Sequence, residues 1–242
     1  MDSKRTLSLS NKLNKPKKYS GATVKFGTNT LGQQVLLDIA EQKHILIAGA
    51  SGFGKSVATK HILEQLRGTK SLVIIGDPKR IEYKQFEDDF VIRTEQCEIE
   101  ELILDVVREM DERYEAMRQA GVVDFKAIKV DRVILVIDEF GSWYMTIKDK
   151  LVKESLVRLL QQGRAAGIHC IFATQHATGK FVPTELKVNI ACRIAFRLPT
   201  ASASRVALDE SGAEQLRAPG EFIMKTASGN TIKGKITEGK YD

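Results

Sequence analysis

No apolar run in the 242-residue chain approaches the roughly 18–20 residues that a membrane-spanning helix requires. No signal peptide precedes the first apolar segment. Cysteine is scarce: Cys97, Cys170 and Cys192 lie far apart and lack metal-ligand spacing, which excludes a disulfide framework or a zinc module. His169-Cys170 reads as an ordinary pair within a strand rather than as two ligands. Internal repeats and long linkers are also missing. These absences describe a soluble protein of a reducing compartment, hence an expected cytoplasmic location. Net charge is small over most of the chain. Residues 1–20 hold Lys4, Arg5, Lys12, Lys15, Lys17 and Lys18 against Asp2, which accounts for +5 of the formal +6. The expected organisation is therefore a basic, disordered leader over 1–20 and a nearly neutral body over 21–242. The leader is either a solvated tail or an arm that holds nucleic acid or anionic lipid by counterion release.

What is present is an alternation of apolar runs and amphipathic segments. After short strands and turns over 21–37, β-branched runs at 71–76, 132–137 and 168–173 have the composition of strands buried on both faces. Between 98 and 120, Ile99, Leu102, Ile103, Val106, Val107, Met110, Tyr114 and Met117 recur at helical spacing, predicting one long helix stopped at Gly121. A second helix is expected over roughly 149–165 with Leu151, Val152, Leu156, Leu159 and Leu160 buried, ended by Gly167. A strand over 191–198 and a hairpin of 221–224 with 231–236 complete the pattern. Strands alternating with helices predict an α/β fold with a mostly parallel central sheet flanked by helices, its ligand at the carboxyl ends of the strands.

The chemistry concentrates at Gly49-Ala50-Ser51-Gly52-Phe53-Gly54-Lys55-Ser56, directly behind the apolar run 44–48 and ahead of a helix over 56–66. This fits G-x-x-x-x-G-K-[ST] in the strand–turn–helix context that a phosphate-binding loop needs. Glycines let backbone N–H groups close around phosphates, and the helix N-terminus adds partial positive charge. The bland alternative is a Gly/Ser turn. ATP or GTP is the expected ligand. Lys55 is the expected contact to the β- and γ-phosphates, and the Ser56 hydroxyl a ligand of Mg²⁺. Asp138, at the tip of the 132–137 strand, would hold the same Mg²⁺ through water, and Glu139 would orient and deprotonate the attacking water. An Asp-Glu pair there could instead cap a helix. Gln175 closes the next strand, where a sensor of the γ-phosphate would sit. Arg164 is either a trans-acting arginine reaching a neighbouring subunit's nucleotide or a helix C-terminal cation.

These residues carry a family resemblance. The segment from Leu46 to Val57 resembles the phosphate loop of the FtsK/SpoIIIE DNA translocases, and Asp77-Pro78-Lys79 with Glu82 is similar to the family's D-P-K-x-x-E. Met110, Arg113, Tyr114, Met117 and Gly121-Val122 resemble its M-x-x-R-Y-x-x-M-x-x-x-G-V helix end. Ile137-Asp138-Glu139-Phe140, then Arg164-Ala165-Ala166-Gly167-Ile168-His169 and Ala173-Thr174-Gln175, follow in family order and spacing. Asn189-Ile190, Arg193 to Phe196, Ser204-Arg205 and Gly212 to Leu216 extend the similarity, which runs from about residue 22 to 236.

The resemblance implies a RecA-like P-loop ATPase that uses ATP and Mg²⁺ and works as a homo-oligomeric ring, usually a hexamer, pulling double-stranded DNA through its pore. It favours Arg164 as the trans-acting arginine. It places DNA-contacting loops at 176–183 and 199–205, with His176, Lys180 and Arg205 as the contacts. His176 stands where the family usually has Arg, and Ala201 where it often has Lys, with Lys180 close enough to compensate. No feature reads bases, so binding is expected to be largely sequence-independent. The chain stops at Asp242, soon after the last strand of the motor, and begins with a short leader. The expectation is a motor alone, serving transfer, replication or packaging of a plasmid, integrative element or phage genome, with targeting or docking proteins supplied by that element. Alternatives are an FtsK-like ATPase driving protein secretion and a nucleotide-switched DNA-binding accessory factor.

Overall fold

A strand covered on both faces must be apolar at every position, and the runs singled out above are. The structure is a computed structural model describing residues 22–236, so the leader expected over 1–20 lies outside the described residues. In chain order it contains β1 (Thr23–Asn29), β2 (Gln34–Asp38), α1 (Ile39–Gln42), β3 (Ile45–Ala48), α2 (Lys55–Leu66), β4 (Ser71–Gly76), β5 (Val91–Arg93) and α3 (Gln96–Ala120). There follow β6 (Arg132–Ile137), α4 (Phe140–Thr146), α5 (Lys150–Gln162), β7 (Ile168–Thr174), α6 (Thr184–Lys187), β8 (Cys192–Ala195), α7 (Ala201–Leu208), β9 (Glu221–Lys225) and β10 (Thr231–Ile236).

The strands form one sheet in the order β2-β1-β10-β9-β8-β3-β7-β6-β4-β5. From β8 to β5 every neighbouring pair is parallel, and from β8 to β2 every pair is antiparallel. Side chains of a strand alternate between faces, and the parallel strands use both. Leu135 and Ile137 of β6 pack with Leu46 of β3 under α3, α4 and α5, whereas Ile134 and Val136 pack with Ile45 and Ile47 against α2. The fold is α/β with a mostly parallel sheet flanked by helices.

Local signals explain the helices. In α3 the Glu95 and Glu98 side chains form a capping box, and Gly121 ends the helix with φ of 66°. Ile99, Leu102, Ile103, Val106, Val107, Met110 and Met117 are buried, with Tyr114 partly so. In α5 Val152, Leu156, Leu159 and Leu160 are buried, but Leu151 is 56% exposed, against expectation. It sits one position, about 100°, round the helix from buried Val152, and so on the face of the first turn that meets solvent. The helix also stops earlier than expected, at Gln162 with Gly163 as its cap, and Gly167 closes the following turn with φ of 74°. The strand expected over 191–198 is shorter, Cys192–Ala195. The segment 199–205, expected as a loop, is mostly helical: α7 starts at Ala201, with Thr200 Oγ1 accepting the Ala203 N–H at 3.1 Å. No helix among the described residues is long and apolar enough to cross a membrane.

Candidate functional site

β3 delivers the chain into Gly49–Gly54, and α2 begins at Lys55. Gly54, the N-cap, has φ of 113° and provides no side-chain cap. A left-handed conformation of this kind suits glycine; a Cβ there would also lie 3.2 Å from Gly220 N and from the Phe196 ring. The first-turn amides of α2, at Lys55, Ser56 and Val57, therefore have neither an intrahelical acceptor nor a side-chain cap, which is the arrangement that binds anions. Two amides at the entry to the loop are already bonded within the protein. Gly49 N donates to Thr174 O at 3.2 Å and Ala50 N to Arg197 O at 2.8 Å.

The loop is also braced from the side. Phe196 lies so close beneath it that a Cβ on Gly49 would sit 2.9 Å from the Phe196 Cβ. The Arg197 guanidinium stacks over the Phe53 ring at 5.0 Å, and Gly220 N donates to Phe53 O at 3.0 Å. A cleft of about 510 Å³ opens here, with Ser51, Gly52, Lys55 and Ser56 on one wall, and Lys79 and Gln175 facing in from the ends of neighbouring strands. Pro219, Gly220 and Ile236 supply an apolar wall.

Parallel register places the acidic pair beside this loop. Asp138 and Glu139 follow β6, which is one strand removed from β3, and Gln175 follows the intervening β7. Lys55 Nζ donates to Asp138 Oδ1 at 2.6 Å and lies 3.2 Å from Glu139 Oε1. Lys79 Nζ donates to the same Glu139 oxygen at 3.0 Å. All but Lys79 are buried. Burial opposes the charge on Lys55, but Asp138 and Glu139 outweigh it and raise its pKa. Burial likewise opposes ionisation of Glu139, yet Lys55 and Lys79 hold its carboxyl below the usual range. Glu139 is thus an ionised carboxylate paired with two lysines, on a backbone in the left-handed region at φ 45°. Asp77, at the tip of β4, is pushed up by burial and by nearby Asp138.

Asp138 Oδ1 is used twice, by Lys55 and by the Glu139 N–H at 2.9 Å, while Oδ2 is buried with no hydrogen-bond partner among the described residues. An orphaned carboxylate oxygen on the partner of Lys55, the residue before Ser56, fits a divalent cation bound through water. Among the described residues no group of three His, Cys, Asp or Glu side chains could hold a metal alone. Ser56 and Asp138 are the residues that would hold a cation here.

Arg164 is elsewhere. It lies exposed in the turn between α5 and β7, at the amino ends of the strands, in a second cleft with Arg132, Lys126 and His169. It cannot reach the phosphate loop of its own chain. The turn is held by two α3 side chains: buried Arg113 donates to Ala166 O and Tyr114 to Gln162 O, both at 2.8 Å. His176 and Lys180 are exposed in the loop after β7, and Arg205 is exposed on α7. Ala177 of that loop shares a small core with Ala203 and Ala207 of α7, so the two segments sit together at the carboxyl edge of the sheet.

Sequence reasoning missed Lys79, Arg113 and Tyr114 as parts of the site. The D-P-K and R-Y motifs marked them, but neither motif states a contact partner.

The FtsK/SpoIIIE family model matches residues 9–139. A DNA translocase FtsK of Chlorobaculum tepidum is 34% identical over 225 residues, covering 83% of this chain and 28% of that protein. The chain thus spans less than a third of the length of such relatives. Among solved structures, the pCW3 conjugation coupling protein TcpA, a monomer with ATPγS, superposes with a TM-score of 0.81 at 25% identity, covering 93% of this chain and 68% of that one. The cytoplasmic domain of the Thermomonospora curvata type VII secretion ATPase EccC shares the fold, with a TM-score of 0.79 at 21% identity over 98% of this chain and 31% of its own.

Proposed function

The chain belongs to the FtsK/SpoIIIE family, and on that premise we propose that it is an ATP-hydrolysing motor that translocates double-stranded DNA. The observation that carries the reading is the cluster of Lys55, Asp138 and Glu139 at the mouth of an uncapped helix, with Gln175 on the adjoining strand end. Lys55 and the amides of Gly52 to Val57 bind the triphosphate. Ser56 and Asp138 would hold Mg²⁺, which would supply positive charge to offset that of the triphosphate. Glu139 orients and deprotonates the attacking water, and Gln175 registers the γ-phosphate.

Arg164 completes the site of a neighbouring copy. Its distance from its own loop, at the opposite end of the sheet, supports a head-to-tail ring, with a hexamer as the family-based expectation. The 176–183 loop and α7 meet the duplex through His176, Lys180 and Arg205. With few cations per subunit, repetition round the ring supplies the grip on a densely charged backbone. The finer setting is a cytoplasmic motor of a plasmid, integrative element or phage, directed by element-encoded partners.

The test is the ATPase rate without DNA, with single-stranded DNA and with duplex DNA, each at two salt concentrations. Translocation predicts duplex stimulation that weakens with salt. No response to any DNA refutes it, and leaves protein secretion as the reading to pursue.

A further inference from the structure

Two ammonium groups converge on one oxygen in this site. Lys55 and Lys79 lie 3.2 and 3.0 Å from Glu139 Oε1. Like charges tolerate that proximity only while an anion sits between them. Glu139 supplies it at present, and with Asp138 it brings the four-residue cluster to neutrality. Lys55 keeps a second carboxylate, Asp138, at 2.6 Å, whereas the hydrogen bond of Lys79 Nζ is to Glu139.

The backbone under Lys79 is fixed while its side chain has room. Asp77 accepts the Lys79 N–H at 3.2 Å and the Glu82 N–H at 3.0 Å, and Lys60 of α2 pairs with Glu82 at 3.0 Å, tying the loop to the phosphate-binding helix. The Lys79 side chain is 42% exposed and lines the same cleft as Ser51, Lys55 and Ser56. A magnesium-bound triphosphate entering this cleft brings net negative charge to a site whose own charges already cancel. Its terminal phosphate offers several oxygens where Glu139 offers one.

We propose that Lys79 is a second phosphate-binding residue, which exchanges its contact with Glu139 for one with the terminal phosphate of a bound nucleoside triphosphate. The move leaves Glu139 free to hold water, so a triphosphate, and not a diphosphate, unmasks the base. This deepens the nucleotide-site reading above and rests on it.

Binding measurements test it without turnover. Calorimetric titration of the wild-type chain and of Lys79→Gln with Mg²⁺-ATPγS and Mg²⁺-ADP should show ATPγS affinity reduced about tenfold or more in the variant. ADP affinity should stay within about twofold, because the diphosphate lacks the group that the lysine meets. Lys79→Arg, which keeps the charge, should restore most of the triphosphate preference. Equal losses for both nucleotides would mark general damage to the site and overturn the proposal, as would undiminished ATPγS binding. A wild-type chain that binds neither nucleotide would refute the nucleotide-site reading itself, a result visible without any variant, and this inference would fall with it.

Discussion

Replacing Glu139 by glutamine should make the site bind triphosphate more tightly while it stops turning over. The substitution keeps the shape of a buried side chain on a left-handed backbone but removes the charge on which Lys55 and Lys79 rest. In the wild-type site an incoming phosphate must draw both ammoniums away from that carboxylate. Lys55 is held chiefly by Asp138, 2.6 Å away, and that pair survives the change. The competition removed is therefore mostly that for Lys79, a charge-assisted contact of roughly 1.5–3 kcal/mol. Because Lys79 is 42% exposed, the lower end applies. About 1.4 kcal/mol corresponds to a tenfold tighter complex. Calorimetric titration with Mg²⁺-ATPγS should find that gain, and a phosphate-release assay should find turnover reduced by about 10²–10⁴. Binding that is unchanged or weaker would refute the view that Glu139 restrains the two lysines, and turnover near the wild-type rate would remove Glu139 as the base.

Arg164→Ala and Lys55→Ala should each lose hydrolysis, by about 10³ or more for the arginine, yet a mixture of the two should regain a measurable fraction; a mixture as inactive as its parts would argue against action across subunits. His44 and His169 are buried with rings 6.4 Å apart, and burial lowers their pKa values to about 3 and about 4. Their contribution to stability is full above the unfolded value near 6.5 and is lost as pH falls towards 4, because the unfolded chain takes up protons that the folded chain does not. Stability in urea unfolding near pH 5 should fall by roughly 3 kcal/mol for each pH unit of acidification through the pair, and His169→Gln should reduce that slope by about half. Gly167→Ala forces a side chain into a φ of 74° and places its Cβ 2.5 Å from the Phe125 ring. Destabilisation of about 2–4 kcal/mol should follow in chemical denaturation, against a few tenths for an exposed turn elsewhere.

The parts of this molecule legible in its sequence are those whose signal is local. The β-branched run ahead of Asp138, the glycine spacing ahead of Lys55 and the 3.6-residue period over Ile99–Met117 each report one element's burial, and each element is present. α4 gave no period because Phe140, Trp143 and Tyr144 crowd together with little polar residue between them. α7 was read as a loop because its buried positions include Ala203, Ser204 and Ala207, too small to mark a face by hydrophobicity. Leu151 misleads for the opposite reason, an apolar residue on the solvent-facing side of the first turn. Contacts between distant segments left no trace at all. Lys79 meets Glu139 across 60 positions, and Arg113 meets the Ala166 carbonyl across 53. Such partners are set by strand order, which no local pattern encodes.

The bracing of the phosphate loop by the end of β8 carries a thermodynamic obligation. Ala50 is hydrogen-bonded to Arg197, Phe53 is stacked beneath the same residue, and the chain then runs through Leu198, in the same small core as Ala203 and Ala207, into α7. No flexible spacer separates the residue that touches the loop from the helix that bears Arg205. An occupant of the loop that prefers one position of Arg197 would bias α7 only by that preference, and only to the extent that the helix moves with the residue. Linkage makes the relation reciprocal: a ligand gripping α7 alters triphosphate affinity by the factor by which triphosphate alters its own. With such a coupling the two surfaces would act as one balance beam pivoted at Phe196-Arg197, and a load on either arm would be weighed on the other.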